Sequence, residues 1–258
     1  YDGLAQTSMV REHQPIKRMV TERKLKQQID ILCDSIHAGR AAGEKGGGLT
    51  ARWIQSEFER MGLLKFGCSY AHGVLLGNGR FGRNIIGMLP GSKHFSREKY
   101  IIVGAHYDHL GVLGKKVYYA GAHDNASGTA AIVTLAAHYA KHQPEYDMYF
   151  VAFSGEDANL RGSEWFAQHP TVPLEQIKYL FNLDMIGDNS PVQYCEVSDP
   201  GMKGFQLMEQ LNNQNSYFQS LNRGELAGNS DHYPFAQRGV PCIFLENEGG
   251  DAFAYYHT

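Results

Sequence analysis

From Asn84 onward, short uninterrupted apolar runs alternate with segments of helical spacing. NIIGML (84–89) comes first, then YIIVGAH (100–106), then a helical pattern from about Ala126 to His142. MYFVAF (148–153) follows, with a short helix near Ser163–Gln168 behind it. Next come IKYLFNLDMIG (177–187), a helix near Lys203–Leu211, and VPCIFLEN (240–247). Successive side chains of a strand point to opposite faces, so a run that is apolar throughout needs cover on both sides. Such runs separated by helices predict an α/β fold. Its form is a three-layer α/β/α sandwich around a mixed, mostly parallel central sheet.

Upstream, Leu25, Ile29, Leu32 and Ile36 repeat at helical spacing and predict an amphipathic helix over 21–36. The glycine-rich stretch 37–48 reads as a loop. Thr50 is placed to cap a second helix carrying Ile54, Phe58 and Met61, which Gly62 would stop. Residues 1–20 are polar and aperiodic and read as an N-terminal arm; 21–258 read as one domain. A chain of 258 residues, 43% hydrophobic, suffices for one large core. The net charge of −3 gives no reason to expect nucleic acid or an anionic membrane as partner. No apolar run approaches the ~20 residues of a membrane span. Cys33, Cys68, Cys195 and Cys242 lie far apart without a CxxC pair, which argues against a thiolate zinc site and for mostly free thiols. The first residue is Tyr1 and no signal peptide is visible. Either a leader has been removed or the sequence has been trimmed; both fit the expectation of an exported protein, periplasmic or extracellular.

Acids and imidazoles gather where the apolar runs end. YIIVGAH ends in His106, followed by Tyr107 and Asp108; MYFVAF runs into Glu156 and Asp157; IKYLFNL runs into Asp184; Asp124 stands just ahead of a helix. In open α/β sheets, ligands bind beyond the carboxyl ends of the strands. So many carboxylates at one edge would repel one another unless a cation sat among them. Imidazole with carboxylate, and no thiolate, suits catalytic zinc. The donors exceed the three of a one-zinc centre, and a carboxylate bridging two ions about 3.5–4 Å apart would account for the surplus. Glu156, left over beside the metals, is the natural general base. Each residue alone has a plainer reading: a loop pair for His106 and Asp108, a helix cap for Asp124, a solvated turn for Glu156 and Asp157, a frayed tail for His257. Asp184 is different, because an unpaired carboxylate closing an apolar run is costly. His13, His37, His72, His94, His138, His142 and His169 lie in helices or loops outside any acidic motif and read as surface or structural. Gly46-Gly47-Gly48 lacks the ending of a phosphate loop, and no GxSxG elbow marks a serine hydrolase.

Eight segments in order make a more specific pattern. They are AGRAAGEKGG (38–47), NIIGMLPGS (84–92), GAHYDHLG (104–111), HDNASGTAA (123–131), FSGEDANLRGS (153–163), NLDMIG (182–187), SDHYPFAQRGVP (230–241) and YYHT (255–258). From about Ile29 to Thr258 the chain resembles the co-catalytic dinuclear zinc exopeptidases typified by bacterial leucyl aminopeptidases, with plasma glutamate carboxypeptidase and glutaminyl cyclase as relatives. The resemblance implies two Zn²⁺ per chain, peptide substrates and cleavage of the N-terminal peptide bond. It implies that His106 and Asp184 hold one ion, with Asp108 behind His106 as acceptor. Asp124 would bridge, and Asp157 and His257 would hold the other ion. It further implies Glu156 as base, Tyr256 as a stabiliser of the oxyanion, and Asp231 and His232 as candidates either behind the ligands or on the substrate side. Two departures stand out. Many relatives carry Glu where this chain has Asp157, and the family's final helix would be absent after Thr258. Two rival readings are a glutaminyl-cyclase-like acyltransferase with one zinc and a non-catalytic receptor-like domain. HDNASGTAA argues against the first, and the intact ligand set against the second. The oligomeric state is open.

Overall fold

A computed structural model of the chain describes residues 22–77, 79–92, 100–114, 117–247 and 257. The arm over 1–20, His13, His94 and Tyr256 lie outside the described residues. The strands are β1 (Leu64–Lys65), β2 (Ala71–Gly77), β3 (Arg80–Leu89), β4 (Tyr100–His106), β5 (Val112–Leu113), β6 (Val117–Tyr118), β7 (Asp147–Phe153), β8 (Ile177–Leu183), β9 (Val192–Val197), β10 (Ser220–Gly224) and β11 (Cys242–Asn247). The helices are α1 (Glu22–Leu32), α2 (Lys45–Met61), α3 (Ser127–Tyr139), α4 (Arg161–Gln168), α5 (Met202–Asn215) and α6 (Tyr233–Ala236).

The main sheet runs β1-β3-β7-β4-β8-β11-β9-β10, with β2 also paired to β3; β5 and β6 form a small separate ribbon. The centre, β7-β4-β8-β11, is parallel. The flanking pairs β3–β7 and β11–β9 are antiparallel. The sheet is therefore mixed and mostly parallel at its heart, as the apolar runs predict.

Alternation along the central strands explains the layers. Ile85, Val103, Ala105, Phe150 and Ala152 pack on one side with Ile54, Phe58, Ile132 and Val133 of α2 and α3. Ile86, Ile102, Tyr149, Val151 and Phe153 pack on the other with Phe166 of α4 and Phe235 of α6. Neighbouring residues of one strand thus enter opposite cores, which is why these strands are apolar throughout. Among the described residues, no helix is long and apolar enough to cross a membrane.

The N-terminal half departs from the sequence reading. The first helix ends at Leu32, and Ser35–Arg40 form a short, kinked 3-10 segment in which Ala38 and Gly39 have positive φ. Residues 45–48 are not loop: α2 begins at Lys45, and Thr50 lies inside it rather than capping it. Buried Thr50 donates its hydroxyl to the Gly46 carbonyl and lies 2.8 Å from His37 Nδ1. Two of the three glycines are there for packing. A Cβ on Gly46 would stand 1.8 Å from the His37 carbonyl oxygen, and one on Gly47 would stand 2.4 Å from that of Ala41. Gly62 closes α2 in the left-handed conformation, as its sequence position suggests.

Candidate metal centre

Strand register brings the chemistry to one edge. His106 of β4 pairs with Phe153 of β7, and Gly104 pairs with Asn182 of β8. Two residues further along, His106 and Asp184 stand level, and Glu156 and Asp157 follow the end of β7. Asp124 reaches the same edge from the turn ahead of α3, where the Asp124–Asn125 peptide bond is cis. Asn125 fixes that turn: its amide donates to the Leu183 carbonyl and its oxygen accepts from Gly128 N–H.

Two groups of donors meet at Asp124. His106 Nε2 lies 3.3 Å from Asp124 Oδ1 and 3.2 Å from Asp184 Oδ1. On the other side, Asp124 Oδ2 lies 3.5 Å from His109 Nδ1 and 3.3 Å from His257 Nε2. His109 Nδ1 lies 3.6 Å from Asp157 Oδ2. Tetrahedral zinc with ligand bonds of ~2.0–2.1 Å sets its donors about 3.3 Å apart. Both groups have that spacing and the imidazole–carboxylate chemistry that zinc takes. The residues present therefore fit two such ions, with one oxygen of Asp124 in each group.

The surroundings fix the donors and shift their protonation. Ser230 donates its hydroxyl to Asp184 Oδ2, and Asn182 donates to Ser230. Thr129 donates to the His106 carbonyl. Burial opposes a charged His106 ring, but the charges of Asp184 and Glu156 and its bonds to Asp124 and Asp184 outweigh burial and raise it well above its ordinary value. Burial also works to raise Asp124, yet the bond and charge of His106, with the charges of His109 and His257, hold it below the usual carboxylate range. Glu156 is raised strongly by burial, against the pull of His106, with Asp184, Asp231 and Asp157 adding to the rise. Burial pushes Asp108 up to about 6. This is a site crowded with negative charge, as the sequence suggests, and a cation would relieve it.

A cleft opens over the centre, lined by Asp124, Glu156, Asp157, Asp184, Met185, Asn229, Phe244, Glu246 and His257. Neither Asp231 nor His232 is on its wall; both are wholly buried. His232 Nε2 lies 3.1 Å from Glu196 Oε2, and its ring stacks on Phe244. They stand behind the cleft surface rather than on it. Asp108 is close to His106, but the nearer acceptor for Nδ1 is its carbonyl oxygen at 3.2 Å, with Oδ1 at 3.9 Å.

Two residues of the site have no role in the sequence reading. His109 stands in GAHYDHLG, and its signal is a second histidine three positions after His106. Arg40 stands in AGRAAGEKGG. Its buried guanidinium donates to the carbonyls of Tyr107, Leu32, Ala120 and Gly121, tying the loop after β4 to the segment leading into Asp124.

Peptidase family M28 matches residues 84–258. The chain belongs to that family. Aminopeptidase YwaD of Bacillus subtilis is 27% identical over 183 residues, spanning 68% of this chain and 38% of that protein. The chain thus spans well under half the length of that curated relative. Among solved structures, the zinc aminopeptidase BSAP of Bacillus subtilis superimposes with a TM-score of 0.74 at 16% identity, over 92% of this chain and 88% of that one. The glutaminyl cyclase of Tannerella forsythia superimposes with a TM-score of 0.73 at 19% identity, over 92% and 89%. At these identities the two structures establish the shared fold.

Proposed function

We propose that this M28 chain is a zinc-dependent aminopeptidase that hydrolyses the N-terminal peptide bond of peptides. The observation that carries the reading is the position of Asp124, with one oxygen in each of two donor groups at zinc-like spacing. His106, Asp184 and Asp124 would hold one ion; Asp124, Asp157 and His257 would hold the second. The names of relatives, an aminopeptidase and probable zinc metalloproteases, support the same chemistry.

Bound zinc supplies Lewis acidity here, lowering the pKa of water towards about 7 and polarising the scissile carbonyl. The rest falls to the chain. Glu156, on the cleft wall, takes the proton of the attacking water and passes it to the leaving amine. The Asp108 carbonyl keeps the His106 ring oriented, and Thr129 holds the His106 backbone carbonyl. Tyr256 would donate to the developing oxyanion. Cleft carboxylates would hold the free α-amine, confining cleavage to the chain end.

The test combines zinc analysis with a panel of aminoacyl amides and a peptide beginning with glutamine. Two zinc ions per chain with release of N-terminal residues support the reading. One ion, with cyclisation of the glutamine and no amide hydrolysis, overturns it in favour of the acyltransferase.

A further inference from the structure

His109 is wholly buried, yet neither of its ring nitrogens makes a hydrogen bond. A buried imidazole in that condition is costly to the fold unless something completes it. Its position is enforced. The ring meets Tyr119 edge-on, with centroids 6.3 Å apart. Gly121, at φ +56°, leaves it room: a Cβ there would stand 2.4 Å from His109 Cδ2. The His109 amide donates to the Arg40 carbonyl. Packing thus holds Nδ1 facing the carboxylates of Asp124 and Asp157, at 3.5 and 3.6 Å.

We propose that His109 is a fourth protein ligand of the Asp157-side ion, alongside Asp124, Asp157 and His257. This rests on the two-metal reading above. Four protein donors make a closed set, whereas the three on the His106 side leave a position for water. The two ions therefore play different parts. The Asp157-side ion is chiefly structural, and the His106-side ion carries the open coordination. The second imidazole also makes up for the short reach of Asp157.

The proposal is tested by equilibrium dialysis of the full chain against zinc, with ions counted by atomic absorption, for wild type, His109→Ala and His109→Gln. Melting of the zinc-free proteins checks the fold, and His109→Gln, which keeps polar bulk, carries the test if the alanine variant does not fold. Wild type is expected to bind two ions. Both variants are expected to keep one and to lose affinity for the other by more than about 100-fold, beyond the 10–100-fold that follows removal of an outer partner. A smaller loss, with two ions in wild type, overturns the role of His109 and leaves the two-metal reading standing. Fewer than two ions in wild type overturns that reading, and the proposal with it.

Discussion

Asp124 turns one oxygen to His106 and the other to His109 and His257, so removing it unties both groups at once. Asp124→Ala is expected to empty both metal positions, and Asp184→Ala only the His106 side, read as zinc per chain after dialysis. Glu156→Gln belongs at the same scale. It keeps the ligands and the shape of the cleft while removing the proton acceptor. The zinc content should stay at the wild-type level while kcat falls about 10²–10⁴-fold; a kcat near wild type removes Glu156 from the reaction. His106, Asp124, Glu156, Asp157 and Asp184 are all legible in the sequence because each sits where an apolar run or a helix begins or ends. His109 is harder to read, since its one sequence signal is its place three positions after His106. The part proposed for it rests on Gly121 and Asp124, which the fold brings against its ring.

Elements are most legible where burial is two-sided. β4, β7, β8 and β11 are plain because both cores demand apolar residues from them. β10 escapes a reading by pattern: Ser220–Gly224 is short and largely polar, with no fully buried side chain. The start of α2 is obscured for a different reason. Glycine is a poor helix former, so three in a row look like loop. At Gly46 and Gly47, however, a neighbouring backbone occupies the place of a side chain. Gly48 has open space around its Cβ position. The two kinds of glycine should therefore respond oppositely to alanine. Gly46→Ala should destabilise by roughly 1–3 kcal/mol through overpacking, while Gly48→Ala should stabilise by up to about 1 kcal/mol. Thermal melting reads both, at about 2–4 °C per kcal/mol for a chain of this size. Shifts of the same sign at the two positions would remove packing as the reason for the difference.

At the scale of the whole molecule, burial decides which groups the solvent can reach. All four cysteines are free. Cys195 is pushed up to about 12, chiefly by burial, and burial raises Cys242 as well. Cys68 is exposed. A thiol reagent should label Cys68 rapidly in the native protein and reach Cys195 and Cys242 only on unfolding, a pattern that peptide mass mapping resolves. Zinc should act on the whole fold too. An ion bound only by the folded chain stabilises it by about 2.7 kcal/mol at a hundred times its Kd, so zinc should raise the melting temperature and a chelator reverse the rise.

The strand order carries one more implication, for the chain as it is made. β11 is the last strand among the described residues, yet it lies inside the sheet, between β8 and β9. Until it emerges, β8 shows an unpaired edge on that side, and β9 with β10 has no hold on the rest of the sheet. A nascent chain that stalls before Cys242 therefore carries most of its metal donors and two open strand edges, but no finished scaffold to aim them.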